Sequence, residues 1–378
     1  MHNPKLHVCF PFVGDSVGGS HISATRLIKG LPKNLISPLI VLHQEGPLAE
    51  YLGAEKIPFE LAPEVDLVGS ASVLGQVSTM LANAPRLIHF LRKRRVDVVH
   101  TNDARMHLTW GLAARLAGAG FIWHQRSAEQ SRRLALYTCL ANRVLTVSRF
   151  NKSRLAGWMG RRAQVVPNPF DEPSPPPNRD TEKNRLLAEL GTSEGTKVIG
   201  YIANLADRKR PLVFVEMAAL LSQQSKFKLV FPMFGDARPP FRQKVESLVQ
   251  ETGLIGRCVL MGMRFPIDPW IAACDAVVAP GVDEPLGRAI IEPMLIGTPV
   301  VAADHGGNPE ILTHGETGLL VQADDPKAFA AATITLLENP NYATRLTLAA
   351  QASARERFSR EKHVQTLLHI YREVVART

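Results

Sequence analysis

The sequence predicts an α/β protein made of two domains in series, each a doubly wound parallel sheet covered by helices. The chain has 378 residues, which is long for one hydrophobic core and ordinary for two domains. Short continuous apolar segments alternate with longer amphipathic segments in both halves, as expected for buried parallel strands separated by helices. A proline-rich stretch lies between the two sets of segments.

The first half contains five apolar segments that we predict to be strands, namely LHVCFPFV, PLIVLH, VDVVH, FIWH and RVLTVS. Behind the first of them, Ala24, Leu27, Ile28 and Leu31 recur at helical spacing. A second helix is predicted before VDVVH, with Pro85 in its first turn, where proline is favoured.

The second half repeats this pattern with the predicted strands TKVIGYIA, KLVFPMF, RCVLMG, DAVVAP, TPVVAA and TGLLV. Between the halves, PNPFDEPSPPPNRD has the composition of a stiff linker. We therefore predict a first domain over residues 1–170, a linker over 171–185 and a second domain over 186–357. Residues 358–378 are predicted to form a closing helix with Val364, Leu367, Leu368 and Tyr371 on one face.

The composition is that of an ordinary globular protein, with 45% apolar and 21% charged residues. The four cysteines are too scattered for a disulfide framework or a zinc site, which favours a reducing cytoplasm. Neither a signal peptide nor an apolar run long enough to span a bilayer is evident in the sequence.

The net charge of +9 is confined to the first half of the chain. Residues 1–175 hold 21 Lys and Arg against 12 Asp and Glu, whereas residues 176–378 hold 23 of each sign. Such asymmetry indicates a polyanionic or membrane-surface partner, or else only ordinary variation in surface charge. Nucleic acid is disfavoured, because aromatic residues make up 6% and no recognition motif is present.

One unusual stretch follows the first predicted strand of each half. It is glycine-rich in the first half and basic in the second half. In GDSVGGSHISATRLI, Gly18 and Gly19 precede a helix, so backbone N–H groups are open to a phosphate or a sugar. The alternative is a tight turn. In IANLADRKRPL, the cations of Arg208, Lys209 and Arg210 precede another helix, where they suit a diphosphate or form an exposed basic turn.

The stretch DEPLGRAIIEPMLIGTPVV contains two carboxylates in otherwise apolar surroundings. Glu284 is predicted on a loop and Glu292 inside a helix that runs from about Gly287 to Ile296 and ends at Gly297. A carboxylate accepts two hydroxyl hydrogen bonds at once, as a sugar diol offers. The N–H groups of Leu286, Gly287 and Arg288 are directed at any ligand of the helix end. The alternative is one helix-dipole glutamate and one partly exposed helical glutamate.

The stretch PGVDEPLGRAIIEPMLIGTPVVAADHGGNPEIL, followed by GETGLLV, resembles the E-x7-E region of retaining glycosyltransferases of family 4. These enzymes have the GT-B fold, in which two Rossmann-like domains face each other across a cleft. VDVVHTND, VLTVSRFNKSRL, VVPNPFD, ANLADRKRP and FSREKHVQTLLHIYREVV resemble further segments of the family in the same order. The resemblance covers almost the whole chain, and it implies that the closing helix crosses back onto the first domain.

The resemblance implies a role for each matching residue. Glu292 would hold the ribose hydroxyls of the nucleotide, and Glu284 would contact the transferred sugar. Lys209 would pair with the diphosphate with help from Arg208. The backbone of Gly18 and Gly19 would pass close to the donor.

Three positions depart from the family pattern. Asn204 stands where the family has an arginine that contacts phosphate. Asn102 stands at the second histidine of the family's His-x-His, where it would contact the donor through a sugar hydroxyl but cannot take a proton. This leaves His100 as the candidate catalytic histidine, with His107 or His124 as substitutes and a core role for His100 as the alternative. Pro293 stands where the family has alanine, which predicts a kink or a later start of that helix.

The resemblance implies that the protein would move a sugar, with retention, from a UDP- or GDP-linked donor. The acceptor would be lipid- or saccharide-linked, in bacterial surface polysaccharide or lipopolysaccharide synthesis, with no metal or other cofactor. The first domain would receive the acceptor, and candidate acceptor or membrane contacts are Arg92, Lys93, Arg94, Arg95 and Arg126. The expected location is the cytoplasm, with peripheral contact at the inner face of the plasma membrane.

Two alternatives keep the fold and change the function. The first is a nucleotide-sugar 2-epimerase or a phosphorylase. The second is an inactive nucleotide-sugar-binding subunit, which the departures at Asn102 and Asn204 suggest.

Overall fold

The computed structural model describes residues 5–69, 72–127, 136–155 and 157–377, and it divides the chain into two compact units. Unit 1 comprises residues 1–169 together with 358–378, and unit 2 comprises residues 170–357. Each unit is built on one parallel sheet, so the predicted pair of doubly wound α/β domains is confirmed.

Unit 1 has a seven-stranded sheet in the order β3-β2-β1-β4-β5-β6-β7. Its strands are β1 (Leu6–Phe12), β2 (Ile36–Leu42), β3 (Glu60–Leu61), β4 (Val98–Thr101), β5 (Gly120–Gln125), β6 (Arg143–Thr146) and β7 (Gln164–Val165). Its helices are α1 (Gly19–Gly30), α2 (Pro47–Ala54), α3 (Val73–Lys93), α4 (Ala104–Ala117), α5 (Arg149–Ser153) and α6 (Gly157–Arg162), with a last helix from the end of the chain.

Unit 2 has a six-stranded sheet in the order β10-β9-β8-β11-β12-β13. Its strands are β8 (Lys197–Ile202), β9 (Leu229–Phe234), β10 (Cys258–Gly262), β11 (Ala276–Ala279), β12 (Val300–Ala303) and β13 (Leu319–Val321). Its helices are α7 (Arg179–Glu189), α8 (Pro211–Gln224), α9 (Phe241–Glu251), α10 (Asp268–Ala272), α11 (Arg288–Ile296), α12 (Pro326–Glu338) and α13 (Pro340–Phe358).

Both sheets reverse strand order in the middle, between β1 and β4 in unit 1 and between β8 and β11 in unit 2. Ligands of open α/β sheets bind beyond the carboxyl ends of the strands at such reversal points. The loops after β1, β4, β8 and β11 are therefore where a site is expected in each unit.

The closing helix α14 (Arg360–Val375) lies in unit 1 and buries His363, Val364, Leu367, Ile370, Tyr371 and Val374. It packs closely, because a Cβ at Gly120 would lie 2.1 Å from Val374 Cγ1 and one at Gly30 would lie 2.9 Å from Val364 Cγ2. The two glycines allow α14 to approach β5 and α1, and its apolar face completes one of the two cores of the sheet.

Every predicted strand is present, and two short strands, β3 and β7, were missed because two residues carry no periodic pattern. The prediction that Pro85 lies in a first helical turn is wrong. The helix begins at Val73, where the Ser72 hydroxyl accepts a hydrogen bond from Gly75 N, and Pro85 lies in its interior. Exposed Leu74 and Leu81 break the amphipathic pattern in its first half, which hid the true start.

The predicted linker over residues 171–185 is too long. Its last seven residues, 179–185, form the first turns of α7, whose N-cap Asn178 accepts a hydrogen bond from Thr181 N at 3.0 Å. The asparagine, with Asp180 and Glu182 in the first turn, is a helix-start signal that the neighbouring prolines masked. Within the described ranges, none of the helices has both the length and the apolar character needed to cross a bilayer.

Candidate active site

Two cations and one carboxylate meet at the strand reversal of unit 2. Arg208 and Lys209 lie in a short helical turn after β8, and Glu284 lies in the loop after β11. The Glu284 carboxylate accepts hydrogen bonds from Arg208 Nη1 at 2.7 Å and from Lys209 Nζ at 2.5 Å. Glu284 is only 8% exposed, so its charge is balanced by these cations and not by water.

A second loop, after β12, fixes the position of Glu284. Gly307 N donates to Glu284 O at 2.8 Å, and Asp283 N donates to His305 Nδ1 at 3.1 Å. Gly306 has a φ of +65°, and a Cβ there would lie 2.9 Å from Glu284 N, so only glycine fits. The Gly-Gly pair shortly after a strand in ADHGGNPEIL is the sequence signal for this support, which was not among the predicted site residues.

The lysine of the cluster is strongly affected by its surroundings. Burial lowers the pKa of Lys209, and the neighbouring Glu284 carboxylate opposes that shift. The third residue of the basic triplet points elsewhere, since Arg210 pairs with Asp324 at 2.7 Å and Asp207 at 3.1 Å. The structure therefore separates Arg208 and Lys209, which hold Glu284, from Arg210, which does not.

Glu292 has a different partner. It lies one turn along α11 from Arg288, and the two side chains form an ion pair at i, i+4 spacing. The Arg288 guanidinium also lies over the Phe170 ring, 5.5 Å from its centroid. Arg288 Nη1 is buried and has no hydrogen-bond partner in the described part of the chain.

Helix α11 has the bounds that the sequence predicts, with Gly287 as N-cap and Gly297 in the left-handed conformation after its last residue. The later start that we allowed for because of Pro293 is wrong. Pro293 is buried inside the helix, and its carbonyl accepts hydrogen bonds from Gly297 N and Thr298 N, both at 2.9 Å. Pro293 therefore lies in the last turn of α11 and does not delay the start of the helix.

A pocket in unit 2 collects several of these groups. Lys209, Glu284, Gly287, Ala289 and Asn308 line it beside the aromatic ring of Tyr201. Burial raises the pKa of the Tyr201 hydroxyl, which stays protonated and donates to Lys209 O at 3.2 Å. The pocket wall thus combines one cation, one carboxylate and the start of α11, where backbone N–H groups have no intrahelical acceptor.

Asn204, predicted near the donor phosphates, is exposed, and its side-chain oxygen accepts a hydrogen bond from Asp236 N at 2.9 Å. It ties together the loops after β8 and β9. Within the described residues, its observed contact is therefore structural.

In unit 1, Gly18 is the N-cap of α1 and its N–H donates to His21 Nδ1 at 3.0 Å. A Cβ at Gly18 would meet only His21 Nδ1, at 3.9 Å, and its φ of −137° suits any residue. The glycine that the turn requires is Gly14, with a φ of +107° and a Cβ position 2.0 Å from Gln44 O. Turn geometry therefore explains Gly14 and leaves Gly18 and Gly19, the first residue of α1, open to a ligand role.

The structure contradicts a catalytic contact for His100. The residue is fully buried, with Nδ1 hydrogen-bonded to Tyr371 Oη at 2.7 Å and Nε2 to His124 Nδ1 at 3.2 Å. Both ring nitrogens are thus occupied by the protein, as the core alternative predicts. His107 is also held in the core, against Thr101 Oγ1 at 2.6 Å and the ring of Trp123.

Arg126 does not belong to the basic surface with which the sequence analysis grouped it. It is 7% exposed, directly after β5, and its Nε donates to Asn102 Oδ1 at 2.8 Å. The other members, Arg92, Lys93, Arg94 and Arg95, are exposed at the end of α3. There Arg92 donates to Leu116 O at 3.1 Å, and Arg94 pairs with Glu60 at 2.6 Å.

Comparison with known proteins gives the class. Residues 17–172 match the sequence model described as Glycosyltransferase Family 4, and residues 196–339 match that described as Glycosyl transferases group 1. HepE of Anabaena, solved in complex with UDP and glucose, aligns with a TM-score of 0.81 and 23% identity, over 96% of this chain and 98% of HepE. The chain therefore has the GT-B fold, and each unit carries a glycosyltransferase domain.

Sequence relatives agree with this class. The D-inositol 3-phosphate glycosyltransferase of Nocardioides sp. is 31% identical over 212 residues, which are 52% of this chain and 46% of that protein. The lipopolysaccharide core biosynthesis mannosyltransferase LpsB of Rhizobium meliloti is 29% identical over 200 residues, which are 51% of this chain and 56% of LpsB. The chain spans about half the length of the curated relatives it matches.

The buried histidines predict that unit 1 loses stability in acid. Burial lowers the pKa of His363 to about 3, so between pH 6.5 and 3 the unfolded chain binds a proton at this residue that the folded chain does not. Stability from this residue is thus present above pH 6.5 and lost as the pH falls. We expect His363→Gln to reduce the loss of unfolding free energy between pH 7 and 5 by about 2 kcal/mol.

The measurement is urea unfolding at several pH values. His369→Gln is the matched control, because His369 lies on the same helix with its side chain 75% exposed. An acid dependence that is identical in wild type and His363→Gln would contradict a neutral, buried His363.

Proposed function

We propose that the chain is a retaining glycosyltransferase that moves a sugar from a nucleoside diphosphate sugar to a lipid- or saccharide-linked acceptor of a bacterial surface glycan. The observation that carries this proposal is the buried Glu284 carboxylate held between Arg208 and Lys209. It lies at the strand reversal of a sheet whose domain matches the group 1 glycosyltransferases.

The cation cluster suits the donor diphosphate. Arg208 and Lys209 carry two positive charges against the single charge of Glu284, so the cluster has an excess of one cation. A diphosphate oxygen on Lys209 would replace the carboxylate there, and the N–H groups of Leu286, Gly287 and Arg288 at the start of α11 would add to its binding. That HepE was solved with UDP and glucose is consistent with this use of the fold.

Displacement from Lys209 would free Glu284 for the donor sugar. A carboxylate accepts hydrogen bonds from two sugar hydroxyls, and Glu284 already lines the pocket. Glu292 lies further along the chain, inside α11 and beside Arg288, and we assign it to the ribose hydroxyls. The loop after β11 would then bind the sugar end of the donor, and α11 would bind its ribose end.

The chemistry follows from these charges. As the bond between the anomeric carbon and the diphosphate oxygen breaks, negative charge grows on the leaving group. The acceptor hydroxyl oxygen forms the new bond to the anomeric carbon on the same face, and its proton passes to the departing diphosphate oxygen. Fixed cations that meet this charge lower the barrier without needing to reorganise. Lys209 and Arg208 supply this stabilisation, so we propose that no metal ion is required. EDTA should leave the rate of transfer unchanged.

The basic half of the chain suggests where the acceptor is met. On α3, Leu74 and Leu81 are 83% and 58% exposed, seven residues apart and so on one helix face, and Arg92 lies on that face near the C-terminal end. Exposed apolar side chains beside basic ones suit an anionic lipid surface. We therefore place the enzyme in the cytoplasm, at the inner face of the plasma membrane, where its four free cysteines stay reduced.

Lys209→Ala should weaken binding of the nucleoside diphosphate by roughly 10- to 100-fold, since a charge-assisted hydrogen bond contributes about 1.5–3 kcal/mol. UDP and GDP are titrated separately by calorimetry, and the tighter ligand is used. Arg210→Ala is the matched control, because it removes a cation of the same triplet that is bound to Asp324. Equal losses in the two variants, or none in Lys209→Ala, would contradict the proposed site.

Turnover separates transfer from the two alternatives. A transferase releases nucleoside diphosphate in proportion to added acceptor, and Glu284→Ala should abolish this release. Isomerisation of the nucleotide sugar, or release of nucleoside diphosphate, in the absence of acceptor would indicate a nucleotide-sugar 2-epimerase. Nucleotide binding without any turnover across the acceptors tried would indicate a binding subunit.

The membrane contact predicts that the double variant Leu74→Glu, Leu81→Glu sediments with anionic phospholipid vesicles at least 10-fold less than wild type, by the order of about 1 kcal/mol per surface group. Reversing the charges of residues 92–95 should have a similar, salt-dependent effect. Leu348→Glu is the control, since Leu348 is 62% exposed on α13 in unit 2. Unchanged sedimentation of both α3 variants would contradict a membrane contact through this face of α3.

A further inference from the structure

Unit 1 contains a buried cation that the proposed nucleotide site does not use. Arg126 directly follows β5, and its neighbours are Asn102, directly after β4, and Asn168, shortly after β7. All three residues are more than nine-tenths buried. They lie at the carboxyl edge of the sheet, where α/β domains bind ligands.

Two amide oxygens hold the guanidinium of Arg126. Its Nε donates to Asn102 Oδ1 at 2.8 Å, and its Nη1 donates to Asn168 Oδ1. Its Nη2 is buried and has no hydrogen-bond partner among the described residues. The amides thus orient the planar group and leave part of its donor capacity unused.

The charge of Arg126 is not compensated within the described part of the chain. Around it the ionisable groups are neutral, since burial lowers the pKa of His100, His124 and His363 and raises that of Tyr371. Burial likewise lowers the pKa of Arg126, to about 9. No carboxylate among the described residues opposes this shift. Buried cations are ordinarily paired, so an unpaired one is costly unless a ligand supplies the anion.

The identity of the two holding residues strengthens this point. Aspartate at position 102 or 168 would accept the same hydrogen bonds and also neutralise the guanidinium. Asparagine positions the group and preserves its positive charge. An arrangement that keeps a buried guanidinium charged is suited to binding an anion.

The surroundings place this charge near the strand reversal of unit 1. Burial lowers the pKa of His21, the Asp15 carboxylate opposes that shift, and the charges of Arg105 and Arg126 add to it. His21 accepts the hydrogen bond from Gly18 N at the start of α1. His124 Nε2 is also buried without a partner in the described ranges. Anion-binding and hydroxyl-binding groups therefore lie close together beside an open helix N-terminus.

We propose that Arg126 binds an anionic group, a phosphate or a carboxylate, on the acceptor molecule. This inference rests on the proposed function in that unit 1 receives the acceptor, while the donor diphosphate is assigned to Lys209 and Arg208 of unit 2. It narrows the acceptor class, because a neutral polyol or an uncharged saccharide leaves the guanidinium unbalanced.

The test measures thermal unfolding with two anionic probes, inorganic phosphate and malonate, at constant ionic strength in chloride, with glycerol as neutral control. All proteins carry Lys209→Ala, so that anion binding at the unit 2 site does not contribute. We expect phosphate, malonate or both to raise the unfolding midpoint by binding the folded form. Arg126→Gln should weaken that binding by at least about 10-fold, and Arg126→Lys should restore it only in part.

A second variant covers the case in which Arg126→Gln fails to fold. Asn168→Asp should raise the unfolding midpoint in the absence of probe, because it pairs the buried cation, and should abolish the shift caused by the anion. Asn151→Asp is the matched control, since Asn151 is also buried and its side-chain Nδ2 donates to Gln125 O at 2.8 Å. A carboxylate there would face a carbonyl oxygen, so its charge should destabilise the fold.

The inference is overturned if neither probe shifts the parent protein, or if Arg126→Gln or Asn168→Asp responds to the probes as the parent does. It is also overturned if Asn168→Asp destabilises the fold as much as Asn151→Asp. The relative response to phosphate and malonate distinguishes the two anion classes. Failure of nucleoside diphosphate binding at Lys209 would instead count against the proposed function, and is measured separately.

Discussion

The ion cluster of Arg208, Lys209 and Glu284 is the interaction on which the organisation of unit 2 around its pocket depends. A buried carboxylate is tolerable only with cationic partners, and these arrive from a different strand than the one that carries the glutamate. The loops after β8 and β11 are thereby joined at the strand reversal. The glycines after β12 fix the same glutamate from its backbone side. The Glu284 carboxylate thus occupies, on Lys209, the position that we assign to a donor phosphate.

Unit 1 shows the opposite electrostatic arrangement. Its buried cation, Arg126, is held by two neutral amides and surrounded by neutral imidazoles. The cations of unit 2 are paired with the Glu284 carboxylate, whereas no carboxylate among the described residues pairs with Arg126 in unit 1. This difference matches a division of labour in which one unit neutralises a leaving group and the other selects a charged acceptor.

The sequence predicts the fold well, because buried parallel strands carry a continuous apolar signal that survives without tertiary information. It also predicts the bounds of α11, where Gly287 and Gly297 mark both ends. Its failures come from effects that depend on distant residues. The core role of His100 is set by Tyr371, far along the chain in the closing helix, and the burial of Arg126 is set by Asn102 and Asn168. The prediction for Pro85 is wrong because this proline lies inside a helix. The residue one turn earlier, Leu81, is exposed to water, so its carbonyl does not depend on the hydrogen bond that proline removes.

The most direct test of the central claim is a crystal structure of the chain with whichever of UDP or GDP binds more tightly. We predict a phosphate oxygen within about 3.2 Å of Lys209 Nζ, with Glu284 displaced from that lysine and the ribose hydroxyls on Glu292. A nucleotide bound elsewhere, with the contact between Lys209 and Glu284 unchanged, would contradict it.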